Sequence, residues 1–496
     1  MAGGCSLAVL LKDLVDIPAM DVTVSAIALD SRQVKVGSMF VALSGTQMRG
    51  HDYIDAAIAS GAAVVLYEPL SQYCPPQSSV PCIAVEGLAH KVGVIAERFY
   101  GEPTQAMCVV GITGTNGKTS CSHFLAQALH DESRPCAVIG TLGNGLWGAL
   151  GPASHTTPDA VSLHGLMRRF ADAGAAVVAM EVSSHGLDQG RVAGVDFDIA
   201  VLTNLSRDHL DYHADMAAYA EAKSRLFRSP ALRYAVLNGD DEFGRRLIRE
   251  LPATVAPLVY RMNPSVPIDR ANVQFIDGQL LACDRHGLHL RVVSPWGEGE
   301  FVSSMLGRFN ASNLLAVLAV LLVRGIPFEM ALEKLSQLRT VAGRMEHFCV
   351  DGQPMVVVDY AHTPDALSQV LSALRDHCEG RLWVVFGCGG ERDAGKRPLM
   401  GEIATRLADQ VVLTDDNPRH EDPDQIISDI AAGITTADVK VIRNRADAIA
   451  FAIAGAAAND VVLVAGKGHE TYQQIAAEKQ PFSDRRQVQQ LLGEVA

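Results

Sequence analysis

Between residues 111 and 119 the chain reads Gly-Ile-Thr-Gly-Thr-Asn-Gly-Lys-Thr. Small residues there let backbone N–H groups approach phosphate oxygens, and a helix N-terminus behind them adds a favourable dipole. Lys118 is placed to reach the β/γ-phosphates of a nucleotide, and the Thr119 hydroxyl to ligate Mg²⁺. The common phosphate loop, G-x-x-x-x-G-K-[ST], needs Gly at 112, where this chain has Ile112. The competing reading is an ordinary Gly-rich turn between strand and helix. Lys and Thr directly after Gly117, at the helix start, argue against it.

Other reactive side chains gather in short segments. The apolar run Ala175–Met180 ends in Glu181-Val182-Ser183-Ser184-His185-Gly186. An acid at a strand end near a phosphate loop suits Mg²⁺; a helix start capped by Ser183 or Ser184 explains the segment equally well. Residues 204–213, from Asn204 through Asp208, His209 and Asp211 to His213, follow a buried strand, where a solvated loop is the plain explanation. Lys223 lies on a helical stretch and, by composition, reads as a surface lysine. In Asp416-Asn417-Pro418-Arg419 the Asn before Pro favours a turn, and Arg419 offers a fork of donors that pairs bidentately with a carboxylate.

These segments need a frame. Met107–Ile112 is an apolar run of strand length, and Thr119–Leu129 reads as the helix behind the loop. Cys136–Ile139, Ala175–Met180, Ile199–Leu202 and Ala235–Leu237 are further strands, mostly separated by helical stretches. Alternating β and α elements specify a mainly parallel sheet covered on both faces. Upstream, strands at Met39–Leu43, Ala63–Tyr67 and Ile83–Val85 and helices at Asp55–Ser60 and Ala89–Phe99 make a small α/β unit. It ends at Gly101-Glu102-Pro103. Around 272–306 Leu288, Leu290 and Val292 alternate and Pro295-Trp296-Gly297 offers a turn, an antiparallel insert. A helix from about Asn310 to Leu322 follows. From Arg339 on, Met355–Val358, Leu382–Phe386, Gln410–Leu413, Val439–Ile442 and Val461–Val464 alternate with helix-length segments, a doubly wound pattern. The expected fold class is α/β in three domains, 1–103, 104–338 and 339–496.

Composition narrows the function classes. The 496 residues carry 42 Lys plus Arg against 56 Asp plus Glu, a formal charge of −14. A general nucleic-acid binder needs clustered cations, so the balance argues against that class, while a nucleotide needs only a few donors. No apolar run reaches the ~18 residues of a membrane helix, and Met1 to Ser6 show no basic region followed by a long apolar stretch. The ten Cys lack any CxxC spacing and read as free thiols of a reducing cytoplasm.

The variant loop Thr113–Thr119 resembles the ATP loop of the Mur ligase and folylpolyglutamate synthase superfamily, which joins an amino acid to a carboxylate at the expense of ATP. Further motifs follow in the family's order from residue 111 to residue 470. The resemblance implies an N-terminal UDP-binding domain, a central parallel-sheet ATPase (P-loop) domain and a C-terminal Rossmann-like domain. It assigns Gly114, Thr115, Asn116, Gly117, Lys118 and Thr119 to ATP, with Asn310 of Gly-Arg-Phe-Asn touching adenine. Arg344 of Gly-Arg-Met-Glu and Asp359 and His362 of Asp-Tyr-Ala-His-Thr-Pro are placed beside the nucleotide. Glu181 and His209 match metal-binding positions of the E-x-S-S-x-x-L and N-x-x-x-D-H-L-D motifs. Lys223 matches a lysine that CO₂ carbamylates into an oxygen ligand for Mg²⁺. Catalysis is thus assigned to Lys118, Lys223, Glu181 and His209.

For the UDP-sugar peptide the resemblance points to Leu29 and Ser31, to Thr46, Gln47 and Met48, and to His155, Thr156, Thr157, Ser183, Gln189 and Arg191. His155 stands where relatives often have Asn. For the incoming amino acid it points to Arg392, Asp416, Asn417, Pro418, Arg419, Gly466 and Glu470. Glu391 departs from the family's usual Asp in G-x-G-G-D-R-D, which leaves Arg392 in place. The D-N-P-R turn resembles that of members adding meso-diaminopimelate, whose distal carboxylate needs an Arg; an amino acid ending in ammonium alone is repelled by it. The expected enzyme is a cytoplasmic, monomeric ligase of peptidoglycan synthesis with small-molecule partners. ATP would serve as cosubstrate and Mg²⁺ as cofactor, and domain closure would join the two sites. A lysine-adding ligase, a folylpolyglutamate-type ligase and an inactive nucleotide-binding regulator are the alternatives.

Overall fold

The computed structural model describes residues 4–17, 20–43, 49–70, 73–131, 133–210, 212–265, 267–268, 270–435 and 439–493. Thr46, Gln47, Met48 and Asp211 lie outside the described residues. The chain packs as two compact units. One holds the residues up to Val259 with short returns at 266–274 and 319–323; the other holds 275–318 and 324 onward, with 260–265.

In the first unit, Ala26–Ala28, Ser38–Ala42, Ala62–Tyr67 and Cys82–Ala84 pair in chain order, all parallel. Their side chains alternate between faces. Met39, Val41, Val64 and Leu66 pack on helix Leu88–Phe99, while Phe40, Ala42, Val65 and Tyr67 pack on Ile54 and Ala57 of helix Ile54–Ala59.

The second sheet of this unit has Cys108–Thr113 at its middle. Val177–Glu181 and then Cys136–Gly140 lie on one side, Ile199–Leu202 and then Tyr234–Asn238 on the other, all parallel. Each of these strands is a short β-branched or apolar run buried on both faces, which is why its position is legible. After Cys108–Thr113 the chain passes through helix Lys118–Leu129 and returns two places away. Successive connections thus leave the central strand to both sides and open a crevice at its carboxyl end. A hairpin, Gly143–Leu146 with Ala149–Gly151, extends this sheet beyond what the apolar pattern predicts.

The second unit contains the expected antiparallel insert, a meander of Gln274–Asp284, Gly287–Ser294 and Gly297–Ser303. Its other sheet runs Glu346–Phe348, Met355–Asp359, Val461–Ala465, Leu382–Phe386, Gln410–Leu413, Val439–Val441, parallel except for the first pair. Val357, Val384, Leu413 and Leu463 face helices Pro364–Arg375, Lys396–Leu407 and Pro423–Ala431. Val356, Trp383, Val412 and Val462 face helices Arg445–Gly455 and Asp484–Leu492. A wholly buried ion pair, Arg445 Nε to Asp484 Oδ1 at 2.7 Å, ties the last two helices. Arg445 Nη2 also donates to Ala465 O at 2.9 Å, which anchors the end of the last strand. Among the described residues no helix is long and apolar enough to cross a membrane.

Candidate active site

The phosphate loop sits where Cys108–Thr113 ends and helix Lys118–Leu129 begins. Gly114 and Gly117 have φ of +147° and +87°, backbone that glycine adopts without steric cost. A Cβ at Gly114 would lie 1.9 Å from Thr203 Oγ1. The loop is braced from the neighbouring strand's exit. The N–H of Thr115 donates to Asn204 O at 2.9 Å, that of Asn116 to Asn204 Oδ1 at 3.0 Å, and the Thr203 hydroxyl to Asn116 O at 2.6 Å. Lys118 Nζ curls over its own loop, donating to the carbonyls of Gly114 and Thr115 at 2.8 and 2.7 Å.

Glu181, at the end of the adjacent strand, is wholly buried. The Thr119 hydroxyl donates to its Oε2 at 2.8 Å, and Thr141 donates its N–H to Oε1 at 2.8 Å. A Cβ on Gly140 would fall 2.1 Å from Glu181 Oε1, so the carboxylate occupies a cradle that a larger residue would fill. Ser183 caps helix Ser184–Asp188 by accepting from the Gly186 N–H at 3.0 Å. The capping reading of this segment therefore holds for Ser183, while Glu181 beside it faces Thr119.

Lys223 corrects the composition-based reading of a surface lysine: it is 1% exposed, on helix Met216–Ser224. Its Nζ donates to Gly114 O at 2.8 Å and lies 4.4 Å from the centre of the Tyr219 ring. Burial first, and the Lys118 charge second, push this ammonium well below the ordinary lysine range, with Asp208 opposing. Tyr219 joins the same group, its hydroxyl 3.2 Å from Thr115 Oγ1. The His209 ring stands 6.0 Å from Tyr219 and 5.0 Å from His185, on backbone with φ +53°.

The peptide candidates join this cluster through Thr157. Its hydroxyl donates to Glu181 O and accepts from the Ser183 N–H, both at 3.0 Å, and its carbonyl accepts from Arg191 Nη1 at 2.8 Å. Arg191 Nε donates to Gln189 Oε1 at 2.9 Å, and the Thr156 hydroxyl lies 3.0 Å from that of Thr141. His155 is exposed, beside Ser154. Leu29 and Ser31 follow strand Ala26–Ala28 of the N-terminal sheet, where Asp30 accepts from the Arg32 N–H at 2.9 Å and caps the short helix Ser31–Gln33.

In the second unit, Asp359 is buried at a strand end and accepts from the N–H groups of Met345 and Ala361 at 2.7 and 2.8 Å. Burial raises its carboxyl despite the nearby Arg344 and these bonds. The Arg344 guanidinium stacks 4.8 Å from the Tyr360 ring, and His362 and His469 pack on the same ring at 4.6 and 5.3 Å. A Cβ on Gly343 would meet His469 N at 2.2 Å, so the Gly343–Glu346 and Gly466–Glu470 segments touch backbone to backbone. Asn310 Nδ2 donates to Leu306 O at 2.8 Å and its Oδ1 accepts from Asn313 at 2.9 Å, so this amide is engaged within its own helix start.

The D-N-P-R turn is built against a hairpin, Tyr472–Ile475 with Glu478–Pro481, that the apolar pattern does not predict. Arg419 N–H donates to Gln474 O at 3.1 Å, Gln473 Nε2 to Asp416 O at 2.7 Å, and Gln474 N–H to Asn417 Oδ1 at 2.8 Å. Arg419 has φ +52°, and its Nη1 donates to Gly390 O at 2.6 Å. Among the described residues no carboxylate pairs with Arg419 or with the exposed Arg392. Asp416 is buried, and a Cβ on Gly466 would lie 2.6 Å from its Oδ2. Burial raises the Asp416 carboxyl, and Arg445 and Lys467 oppose that. Two further residues emerge only from the structure. Lys467 is wholly buried between Asn417 and Glu470. Arg397 is 1% exposed and binds both Glu421 and Asp429. A lysine between glycines after a buried strand was the available signal for the first, and the segment Lys396-Arg397-Pro398, which continues the family resemblance, for the second.

Three family models match the chain: Mur ligase family, catalytic domain, at residues 23–100; Mur ligase middle domain at 112–321; and Mur ligase, glutamate ligase domain, at 343–468. The UDP-N-acetylmuramoyl-L-alanyl-D-glutamate–2,6-diaminopimelate ligase of Alkalilimnicola ehrlichii is 52% identical over 490 residues, 97% of each chain. That of Pseudomonas aeruginosa is 50% identical, over 95% of this chain and 96% of its own. A solved structure of an enzyme with the same name superposes with a TM-score of 0.74 at 37% identity, covering 99% of both chains. The MurF ligase from Thermotoga maritima in complex with ADP, at 20% identity and a TM-score of 0.60 over 90% of this chain and 94% of its own, shares the fold. Phosphate loop, buried acid, buried lysine and D-N-P-R turn thus stand in a chain that belongs to the Mur ligase family.

Proposed function

We propose that the chain catalyses ATP-dependent ligation of meso-diaminopimelate to the D-glutamyl γ-carboxylate of UDP-N-acetylmuramoyl-L-Ala-D-Glu. The observation that carries the choice of amino acid is Arg419. It is a cation with no carboxylate partner among the described residues, held on the D-N-P-R turn near Glu470. An amino acid whose far end bears both a carboxylate and an ammonium matches that pair; one ending in ammonium alone leaves Arg419 uncompensated. The 52% identity to a diaminopimelate-adding relative supports the same reading.

In this reading the γ-carboxylate takes the γ-phosphoryl group of ATP, and the resulting acyl phosphate is attacked by the diaminopimelate amine with loss of phosphate. Lys118 uncurls from the Gly114 and Thr115 carbonyls to meet the charge on the phosphates. Arg191, Thr157 and Gln189 orient the peptide. The donor set at Thr119 and Glu181, a hydroxyl and a carboxylate already in contact, suits a hard divalent cation. Burial disfavours the Lys223 ammonium, which suits carbamylation, and Thr119, Glu181, His209 and carbamylated Lys223 would hold the two Mg²⁺. Bound there, Mg²⁺ supplies charge neutralisation during phosphoryl transfer. The functional segments are 1–103, 104–338 and 339–496. The cysteine usage, with no CxxC spacing, supports a cytoplasmic setting, and the proposed enzyme is a monomer acting on small molecules.

The test is ATP-dependent phosphate release with the UDP-dipeptide and Mg²⁺, with meso-diaminopimelate and L-lysine in parallel and product mass read by spectrometry. Product with diaminopimelate alone is expected. Product with lysine instead would discard the Arg419 argument, and product with neither would overturn the ligase.

A further inference from the structure

Lys467 follows the last strand of the C-terminal sheet, and its side chain is fully excluded from solvent. Its Nζ donates to Asn417 Oδ1 at 3.0 Å and to Glu470 Oε2 at 2.7 Å. Asn417 Nδ2 donates to the same Glu470 Oε2 at 2.9 Å, so three side chains close a ring of hydrogen bonds. The amide cannot flip within this ring. Asn417 Oδ1 already takes two donors, Lys467 and the Gln474 N–H, and an NH₂ in its place would face both. Both donors to Glu470 converge on Oε2, which leaves Oε1 without a protein donor among the described residues. Burial pushes the Glu470 carboxyl up, but the Lys467 bond and charge, together with Asn417 and His469, outweigh it and keep the group ionised.

We propose that Lys467 is a positioning residue for the incoming amino acid: from its buried position it fixes the Glu470 carboxylate and the Asn417 amide in the one arrangement that receives the distal ammonium. This rests on the diaminopimelate reading. Its burial keeps Lys467 from touching substrate, and its charge is spent on Glu470. Its contacts run to both segments assigned to the amino acid, the D-N-P-R turn and the Gly466–Glu470 loop, so it sets their spacing. Removing the ammonium would free Glu470 Oε2 to rotate and would leave a half-buried carboxylate with one neutral donor.

Lys467→Met, Glu470→Gln and the double variant decide it, with initial rates read against each substrate. Lys467→Met is expected to raise the amino-acid KM about tenfold or more, with the ATP and UDP-dipeptide KM values within about twofold. In the Glu470→Gln background the same change is expected to add less than about twofold, because the group it positions is already altered. Should Lys467→Met alone fail to fold, the double variant removes both partners of the ion pair, so its comparison with Glu470→Gln still gives the answer. An equal rise in all three KM values, or effects that multiply in the double variant, would overturn the proposal. Wild-type turnover of lysine rather than diaminopimelate would overturn the functional reading separately; the KM comparison then uses the amino acid that is turned over.

Discussion

Three side chains carry sharp expectations. Lys118→Ala removes the cation that meets the phosphates and should lower kcat by roughly 10³-fold or more, the scale of a lost transition-state charge. UDP-dipeptide affinity by calorimetry should stay within about twofold, because the residues assigned to that ligand bond to one another without Lys118. Loss of both would mean the loop holds something other than ATP. Arg419→Ala should raise the diaminopimelate KM roughly 10–100-fold with kcat little changed, the worth of a charge-assisted bond; an unchanged KM would remove the carboxylate clamp. For Lys223 the pH direction follows from its environment. Only the neutral amine captures CO₂, and this ammonium loses its proton well below the ordinary lysine range. Carbamate should therefore form at lower pH than on an exposed lysine. Intact-mass measurements across a bicarbonate–pH series should show one CO₂ adduct that disappears in Lys223→Met. An adduct that follows ordinary lysine behaviour would contradict the buried geometry.

At the level of elements, Arg397 shows how the amino-acid loops are held. From helix Lys396–Leu407 it reaches Glu421 Oε1 at 2.6 Å, Glu421 Oε2 at 2.8 Å and Asp429 Oδ2 at 2.8 Å, and Glu421 Oε2 accepts from the Glu391 N–H at 2.8 Å. Arg397 and the Glu391 N–H push the Glu421 carboxyl down to about 2. A carboxylate held below its ordinary value near 4.5 stabilises the fold above that pH, and the contribution fades as pH falls towards 2. Arg397→Met should cost about 3 kcal/mol at neutral pH, as expected for breaking a largely buried pair, and denaturant titrations should show a flatter loss between pH 4.5 and 2 than in wild type. Equal slopes would place the pair outside the stability balance. The strand that leads into these loops was legible because it is an unbroken apolar run, Leu382–Phe386, whose expected and observed bounds coincide. Hairpin Tyr472–Ile475 with Glu478–Pro481 was not. Its second strand is fully exposed and polar, and it is held by backbone bonds to Arg419 that no periodicity encodes. The composition-based reading of Lys223 as a surface residue failed for a related reason, since composition knows nothing of the Gly114 carbonyl it bonds.

At the scale of the molecule, the groups assigned to phosphate and the UDP-dipeptide lie in the unit ending at Val259, while Asp416–Arg419 and Lys467–Glu470 lie in the other. Each unit has its own core and its own internally bonded site, so each ligand should stabilise the unit it binds through mass action. Saturation at 100 times the Kd adds about 2.7 kcal/mol. Hydrogen exchange should resolve this. Meso-diaminopimelate alone is expected to slow exchange at 389–392, 416–419 and 466–475, where backbone N–H groups already bridge the D-N-P-R turn, the Gly390 loop and the hairpin. It should leave 111–119 unchanged, because the bonds that brace the phosphate loop come from Thr203 and Asn204 in its own unit. The UDP-dipeptide should do the reverse, protecting the segments around Thr157, Glu181 and Arg191. Protection of 111–119 by the amino acid alone would mean that the two sites are coupled before any chemistry occurs. The Asn204 brace would then be one end of that coupling, and Asn204→Ala, which removes the side-chain bonds to Asn116, should abolish the effect.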